Sequence, residues 1–219
     1  GKLRLVRING QDTEWAAEDL AIASSMNADA ILLPKIDGSD DVDEIARQTD
    51  MSLWCMIETP KGVLNAAAIG AHPRVEGFVL GTNDLAKDMR CENGNRLALQ
   101  SAIQLTLLAA RASQVACIDG VFNALRDAEG LKTECEEGRS LGMDGKSLIH
   151  PAQIETANSV FAPTPEEIDL AKRQIDAYEA TVAKGEAVAV VDGKIVEALH
   201  IETARATLSK AQAIKERAT

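Results

Sequence analysis

The sequence predicts an α/β protein built on a parallel sheet that helices cover. Three observations support this fold class: short apolar runs alternate with segments of helical pattern, the runs are rich in Leu, Ile and Val, and several of them end on an ionisable residue. Apolar strands of this kind are typical of a sheet that is buried on both faces. With 219 residues, of which 46% are hydrophobic, the chain is long enough to bury a sizeable core.

Six strands are predicted along the first two thirds of the chain. They are residues 3–8, 30–35, 53–59, 77–80, 115–119 and 146–149. Six strands are too few to close an eight-stranded barrel, so the sheet is either open or part of a larger fold. Between them, Ser39 is a candidate N-cap of a helix that carries Val42 and Ile45, and residues 97–112 are apolar enough to predict a largely buried helix.

From Thr164 onward the pattern is that of a helical extension. Thr164, Pro165 and Glu167 form a capping box with proline at the first helical position. The pair Asp192 and Gly193 predicts a turn, and a last helix follows up to about residue 215. We therefore divide the chain into a sheet-bearing portion, residues 1–161, and a C-terminal extension, residues 162–219.

Composition narrows the possible partners and compartments. The formal net charge of -11 argues against nucleic acid or an anionic membrane as the main partner. The four cysteines are far apart in sequence, form no CxxC pair and lie mostly in apolar or helical runs, so we interpret them as reduced core thiols. We recognise no signal peptide, and no run approaches the roughly 20 apolar residues of a membrane span. These observations predict a cytoplasmic protein.

Ionisable residues follow the predicted strands at their carboxyl ends, where parallel α/β folds bind their ligands. They are Arg7, Lys35, Glu58, Asp84, Asp119 and His150. A single acidic residue at such a place is more often a helix cap or a solvated loop residue. For Glu58, however, the next residues are Thr59 and Pro60, which can begin a helix by themselves, so capping explains Glu58 poorly.

Glu58 and Asp84 together suit a hard cation. Mg²⁺ typically takes one or two protein carboxylates and leaves its other positions to water and substrate oxygens. Zinc would need more nitrogen or sulfur ligands than the surrounding sequence offers. The sequence therefore predicts a magnesium site on Glu58 and Asp84.

Two further features would bind an anionic ligand beside that metal. Gly81, Thr82 and Asn83 precede Asp84, and their backbone N–H groups could approach such a ligand closely. Arg7 ends the first strand, where its guanidinium suits a carboxylate or an enolate oxygen. A surface ion pair is the alternative role for this arginine.

Six motifs, in matching order and spacing over nearly the whole chain, resemble a known family. They are RING at 7–10, LLPK at 32–35, ETPKGVLNA at 58–66, GTNDLAKD at 81–88, IDGVFN at 118–123 and GKSLIHPAQI at 145–154. The family is the citrate lyase β-subunit-like group of the HpcH/HpaI aldolase superfamily, which includes malyl-CoA, citramalyl-CoA and citryl-CoA lyases. The resemblance is greatest to its malyl-CoA lyase-like members.

The resemblance implies a TIM (β/α)8-type barrel with a C-terminal helical extension, Mg²⁺ as the cofactor, and assembly as a homotrimer or homohexamer. The first two βα units of that family have no counterpart in this sequence. We therefore expect residues 1–161 to supply strands three to eight of the barrel and residues 162–219 to supply the extension.

The resemblance also implies roles for individual residues. Glu58 and Asp84 match the metal ligands, and Arg7 matches the arginine that contacts substrate. Glu197, within DGKIVEALH, matches a carboxylate that reaches a neighbouring subunit's site as acid or base, although those lyases usually carry Asp there. Lys35 is expected to assist with the substrate's carboxylate or, equally, to be an outward surface lysine.

Three functions are compatible with these residues. The leading expectation is a Mg²⁺-dependent carbon–carbon lyase of the oxo-acid-lyase type. It would cleave a β-hydroxyacyl-CoA of the malyl-, β-methylmalyl-, citramalyl- or citryl-CoA type to an acyl-CoA and a 2-oxo acid, or catalyse the reverse condensation. The second is a malyl-CoA thioesterase, in which the same carboxylates would direct water at the thioester, and no motif separates the two. The third is a non-catalytic binding or assembly module.

Overall fold

The structure is a computed structural model that describes residues 2–183, 185, 186 and 188–218. They form two compact units, which divide between Ala157 and Asn158. The sequence-based boundary at 161/162 stays a prediction.

Six parallel strands form the central sheet of the first unit, in the spatial order β1 to β6. They are β1 (Leu5–Arg7), β2 (Ala30–Leu33), β3 (Ser52–Ile57), β4 (Val75–Leu80), β5 (Ala116–Asp119) and β6 (Gly145–Lys146). Each strand pairs with the next along the chain, so that Ile31, for example, lies opposite Leu53. All six predicted strands are present, and this sequential parallel order is that of a TIM-barrel wall. The two expected missing βα units stay a prediction.

Helices follow the strands along the chain. They are α1 (Ala16–Ser25), α2 (Ser39–Ala46), α3 (Pro60–Gly70), α4 (Thr82–Met89), α5 (Arg96–Ser113), α6 (Ala128–Leu141) and α7 (Ile154–Phe161). The core of this unit contains the strand residues Ile31, Leu53, Ile57 and Phe78, each wholly buried. Burying a side chain of this size stabilises the fold by about 1.5–3 kcal/mol. The sheet is thus a rigid base for the loops at its carboxyl edge.

The predicted cap of α2 is wrong by one residue. Gly38, not Ser39, is the N-cap, and the side chain of Asp41 accepts a hydrogen bond from the Gly38 N–H at 3.0 Å. The start of α2 is therefore stabilised by an acidic side chain that accepts from the N-cap N–H, which is a different hydrogen bond from the one that a serine N-cap would make. Val42 and Ile45 are buried, as predicted.

The prediction that residues 97–112 are largely buried is also wrong. In α5, Leu99 and Ile103 face the core, whereas Leu97 is 82% exposed and Leu108 is 64% exposed. Apolar composition alone does not reveal which face of a helix meets the sheet.

The second unit contains α8 (Pro165–Val182), the antiparallel hairpin of β7 (Ala189–Val191) and β8 (Lys194–Val196), and α9 (Ala198–Ala218). The capping box is confirmed: Thr164 Oγ1 accepts from Glu167 N–H, and Glu167 Oε2 accepts from Thr164 N–H. The predicted turn is confirmed as well, with Asp192 at φ 50° and Gly193 at φ 74°. In the described part of the chain, every helix is too short or too polar to cross a membrane.

The four cysteines are free thiols, as predicted. Cys55, Cys117 and Cys135 are buried, as predicted, whereas Cys91 is partly exposed, so the prediction that it lies in the core is wrong. Burial raises the pKa of Cys55 and of Cys117 to about 12, so both remain protonated at neutral pH.

Candidate functional site

A pocket of about 250 Å³ lies at the carboxyl edge of β1 to β4. Its wall contains Arg7, Lys35, Glu58 and Asp84, and we call it the carboxylate pocket. Arg7 ends β1, Lys35 follows β2, and Glu58 follows β3 directly. The structure therefore brings together four of the residues that the sequence placed at strand ends.

Glu58 is the buried member of the carboxylate pocket, at 3% exposed. It is not a helix cap, because the hydroxyl of Thr59 caps α3 by accepting a hydrogen bond from the Gly62 N–H at 2.9 Å. The backbone N–H of Lys35 donates to Glu58 Oε1 at 2.8 Å. On another side, Gly81 lies so close that a Cβ there would collide with the Glu58 side chain. The carboxylate is thus fixed between the loops that follow β2 and β4.

The electrostatic surroundings of Glu58 disfavour its charged form. Burial is the largest cause of its raised pKa, and the nearby carboxylate of Asp84 raises that pKa further. The hydrogen bond from Lys35 and the charges of Lys35 and Arg7 oppose the shift. A cation bound between the two carboxylates would favour the charged form of both.

Asp84 occupies the first turn of α4 instead of the strand end that the sequence suggested. Gly81 is the N-cap of this helix, and Asp84 is its third residue. An acidic residue there interacts favourably with the helix dipole. That explanation is compatible with metal binding, because the Asp84 side chain also lines the carboxylate pocket.

The donor set of the pocket fits Mg²⁺. The described residues include no group of three or more His, Cys, Asp or Glu side chains that could hold a metal. A metal here would have two carboxylates from this chain, with water and substrate in its other positions, which is the pattern of Mg²⁺ and not of zinc. Glu58 and Asp84 would be those ligands.

Arg7 and Lys35 supply positive charge at the mouth of the pocket. Both residues are exposed. Within the described ranges, no carboxylate lies within ion-pair distance of either one. The predicted alternative for Arg7, a surface ion pair, is therefore not formed with any described residue, and both cations are available to an anionic ligand.

Thr82 and Asn83 line a different pocket, of about 230 Å³, which we call the amide pocket. Its wall also contains Arg96, Phe122 and Asn123. Gly81 contacts Glu58, as described above. The substrate-binding roles expected for Gly81, Thr82 and Asn83 stay predictions.

Sequence reasoning missed a buried group of charges beside the amide pocket. Lys146 Nζ donates to Asp119 Oδ2 at 3.1 Å, to Glu134 Oε1 at 2.5 Å and to the Gly120 carbonyl at 2.6 Å. Arg96 Nη1 lies 3.1 Å from Asp119 Oδ1. A lysine at the start of a short predicted strand was the available signal. Asp119, which the sequence placed at a strand end, pairs with both Lys146 and Arg96.

Two remaining candidates lie elsewhere. His150 caps a short 3₁₀ helix (Pro151–Gln153), and its Nδ1 accepts from the Ala152 N–H at 3.1 Å. Glu197 belongs to the second unit, between β8 and α9. Its role as acid or base stays a prediction.

Comparison with known proteins assigns the family. Residues 2–151 match the family described as HpcH/HpaI aldolase/citrate lyase. The chain belongs to the HpcH/HpaI aldolase/citrate lyase family.

Among the relatives within this family, a (3S)-malyl-CoA thioesterase of Cereibacter sphaeroides is 56% identical over 97% of this chain and 75% of its own length. A citrate lyase subunit β of Escherichia coli is 33% identical over 95% of this chain and 74% of its own length. The chain is thus an enzyme of the citrate lyase-like group. The expected carbon–carbon lyase activity, including malyl-CoA lyase, is wrong, because the far more similar relatives are thioesterases.

The motifs could not have revealed this difference. Both reactions start from the same thioester and would use the same carboxylates and arginine, so the motif residues are common to them.

Solved structures agree with the family fold. The CitE protein of Mycobacterium tuberculosis, in complex with magnesium, acetoacetate and coenzyme A, matches 95% of this chain and 78% of its own with a TM-score of 0.81 and 26% identity. The same protein has been solved with magnesium and pyruvate. That relative therefore binds magnesium and small oxo acids.

Proposed function

We propose that this protein is a thioesterase that hydrolyses a (3S)-malyl-CoA-type thioester to malate and free CoA. The observation that carries the proposal is the 56% identity, over 97% of this chain, to a (3S)-malyl-CoA thioesterase. The carboxylate pocket supports it, because it combines two carboxylates with two cations that form no ion pair with any described residue, and such a site suits a substrate with its own carboxylate.

Glu58 and Asp84 are the proposed ligands of Mg²⁺. When bound, Mg²⁺ would supply a positive charge that polarises the thioester carbonyl and makes a nearby water more acidic. The hydrogen bond from the Lys35 N–H and the close approach of Gly81 fix the position of the Glu58 carboxylate before metal binds. A fixed carboxylate needs no rearrangement when the metal arrives.

Arg7 and Lys35 are the proposed anion-binding groups. A guanidinium can bind the free carboxylate of the malyl group with two hydrogen bonds, and an ammonium group can stabilise negative charge that develops on the carbonyl oxygen. Because neither side chain is paired with a described carboxylate, neither must break an ion pair before substrate binds.

Hydrolysis adds water across the carbon–sulfur bond of the thioester. The oxygen of water bonds to the thioester carbon, the carbon–sulfur bond breaks, and a proton from water reaches the sulfur of CoA. Glu197 is our proposed acid or base, contributed by a neighbouring subunit of a homotrimer or homohexamer. Glu has the chemistry of the Asp expected there, with one additional methylene group.

Product analysis tests the proposal. The protein is incubated with (3S)-malyl-CoA, with Mg²⁺ or with a chelator, and free thiol, malate, acetyl-CoA and glyoxylate are measured. We expect equal amounts of free CoA and malate, only with Mg²⁺. Acetyl-CoA plus glyoxylate as the main products would contradict the proposal, and chelator-resistant hydrolysis would contradict the metal.

Single substitutions test the roles proposed for Glu58 and Asp84. Glu58→Gln and Asp84→Asn should each lower kcat/KM by about 100-fold or more, because each removes a charged ligand. Asp88→Asn is the matched control, since Asp88 is exposed one turn further along the same helix. Acetyl-CoA should be hydrolysed roughly 100-fold more slowly than malyl-CoA, because it has no carboxylate for Arg7.

A further inference from the structure

The first turn of α4, which carries Asp84, is attached to the loop that follows β5 by a pair of amides. Asn83 Nδ2 donates to Asn123 Oδ1 at 3.2 Å, and Asn123 Nδ2 donates to Asn83 Oδ1 at 2.7 Å. Each amide therefore uses one donor and one acceptor on the other. The two residues are 40 positions apart, so the pair joins two separate βα loops.

A second contact joins the same two loops. Gly120 follows β5 directly, and a Cβ at this position would collide with the side chain of Thr82. Gly120 is itself held in place: its N–H donates to Asp119 Oδ1 at 2.8 Å, and its carbonyl accepts from Lys146 Nζ at 2.6 Å. Asp119 and Lys146 are both buried. The loop after β5 is thus a fixed support for the start of α4.

We propose that Asn123 is a positioning residue that orients Asp84 for metal binding, an inference that rests on the metal site of the proposed function. By holding Asn83, the residue before Asp84, Asn123 limits the directions in which the Asp84 carboxylate points. A metal with only two protein carboxylates depends on both being oriented before it binds. The backbone N–H of Lys35 orients the Glu58 carboxylate, and Asn123 orients the Asp84 carboxylate by holding the neighbouring Asn83.

Asn83 then holds the start of α4 in place and does not bind substrate. Its side chain is already bonded to Asn123 through both its oxygen and its nitrogen. A direct contact with substrate would have to compete with that pair. The two tasks predict different kinetic effects, which separates them by experiment.

Hydrogen exchange of the metal-free protein is the first test. Asn123→Ala removes the amide pair, and we expect amides at the start of α4 to exchange roughly 3- to 10-fold faster. The Leu85 N–H, which is bonded to the Gly81 carbonyl at 3.0 Å, is the reporter. Amides of α2 should be unaffected and serve as the internal reference. Unchanged exchange in α4 would overturn the proposal.

Titration with Mn²⁺, used as a probe without substrate, is the second test. Asn83→Ala and Asn123→Ala should each weaken Mn²⁺ binding roughly 3- to 10-fold, and the double variant should weaken it no further, because both changes remove one pair. Asn93→Ala, on the wall of the same amide pocket, should leave the affinity unchanged. Glu58→Gln should abolish the binding and so identify the site.

The outcomes distinguish this inference from the proposed function. Additive losses in the double variant, or a raised KM in Asn83→Ala with unaltered Mn²⁺ affinity, would overturn the role of Asn123. Normal Mn²⁺ affinity of Asn123→Ala in an active thioesterase would overturn this inference alone. A wild-type protein that binds no Mn²⁺ and hydrolyses no malyl-CoA would overturn both.

Discussion

The backbone N–H of Lys35 donates to Glu58 Oε1 over 2.8 Å, from a residue whose φ is 52°. This φ lies in the left-handed region, which costs a residue with a side chain roughly 1–2 kcal/mol. The left-handed conformation of Lys35 after β2 therefore directs its backbone N–H toward the buried carboxylate, and it strains the backbone at that residue.

Two substitutions of Lys35 distinguish the contribution of its backbone to stability from that of its side chain. Lys35→Gly keeps the N–H and adopts positive φ freely, so we expect the free energy of unfolding to stay the same or rise by up to about 1 kcal/mol. Lys35→Pro removes the donor and fixes φ near −65°, so it should cost about 2 kcal/mol or more. Urea denaturation measures both.

The matched control for this prediction is Lys61→Gly. Lys61 is an exposed lysine in the first turn of α3, where glycine should cost roughly 0.5–1 kcal/mol. A loss in Lys35→Gly as large as in Lys61→Gly would show that the left-handed conformation of Lys35 carries no strain.

Glu58 should make stability depend on pH in metal-free protein. Its raised pKa means that the folded state holds the proton more tightly than the unfolded state. Stability therefore falls as pH rises from the ordinary carboxyl pKa to the raised value, and stays lower above it. Glu58→Gln cannot ionise but still accepts from the Lys35 N–H, so at neutral pH it should be more stable than the wild type.

The measurement is urea denaturation with chelator at a series of pH values. The higher free energy of unfolding expected for Glu58→Gln should fall to that of the wild type at acidic pH, below the ordinary carboxyl pKa. Glu44→Gln, an exposed position on α2, should differ little from the wild type throughout. An advantage of Glu58→Gln that persists unchanged at acidic pH would show that ionisation of Glu58 is not its source.

The six strands, and the position of Glu58 at the end of one of them, could be predicted from the sequence, because apolar runs and their carboxyl ends are local patterns. It could not reveal the Lys35 hydrogen bond, since that depends on one backbone angle in a loop. Nor could it pair Lys146 with Glu134 or Asn83 with Asn123, because those contacts exist only once separate βα units lie side by side. The choice between lyase and thioesterase was hidden for a different reason, since both would use the same side chains.

The four thiols should differ sharply in reactivity. Burial raises the pKa of Cys55 and Cys117 to about 12 and also raises that of Cys135, so these thiols are both inaccessible and protonated. With a thiol reagent at mildly alkaline pH, we expect one fast-reacting group per native chain and four after denaturation. Cys91→Ser should remove the fast reaction. Rapid modification of two or more thiols in the native protein would contradict this prediction.

Lys146 should be among the residues most important for stability. Its ammonium group is fully buried and donates to Asp119, Glu134 and the Gly120 carbonyl. Lys146→Met has a similar length but no charge, and it leaves Asp119 buried with Arg96 as its remaining cation. Removing one partner of a buried ion pair costs about 3–5 kcal/mol, because the other charge stays desolvated.

Lys132→Met is the control, since Lys132 is half exposed and lies 3.8 Å from Glu136 on the surface of α6. That variant should change the free energy of unfolding by less than about 0.5 kcal/mol. If Lys146→Met folds too poorly to measure, Asp119→Leu combined with Lys146→Met should recover part of the stability, because it removes the fully buried carboxylate that lost Lys146, while Glu134 keeps Arg96 as a partner at 3.5 Å. A Lys146→Met protein as stable as Lys132→Met would mean that Arg96 alone compensates Asp119, and that the lysine is not needed to hold the loop after β5.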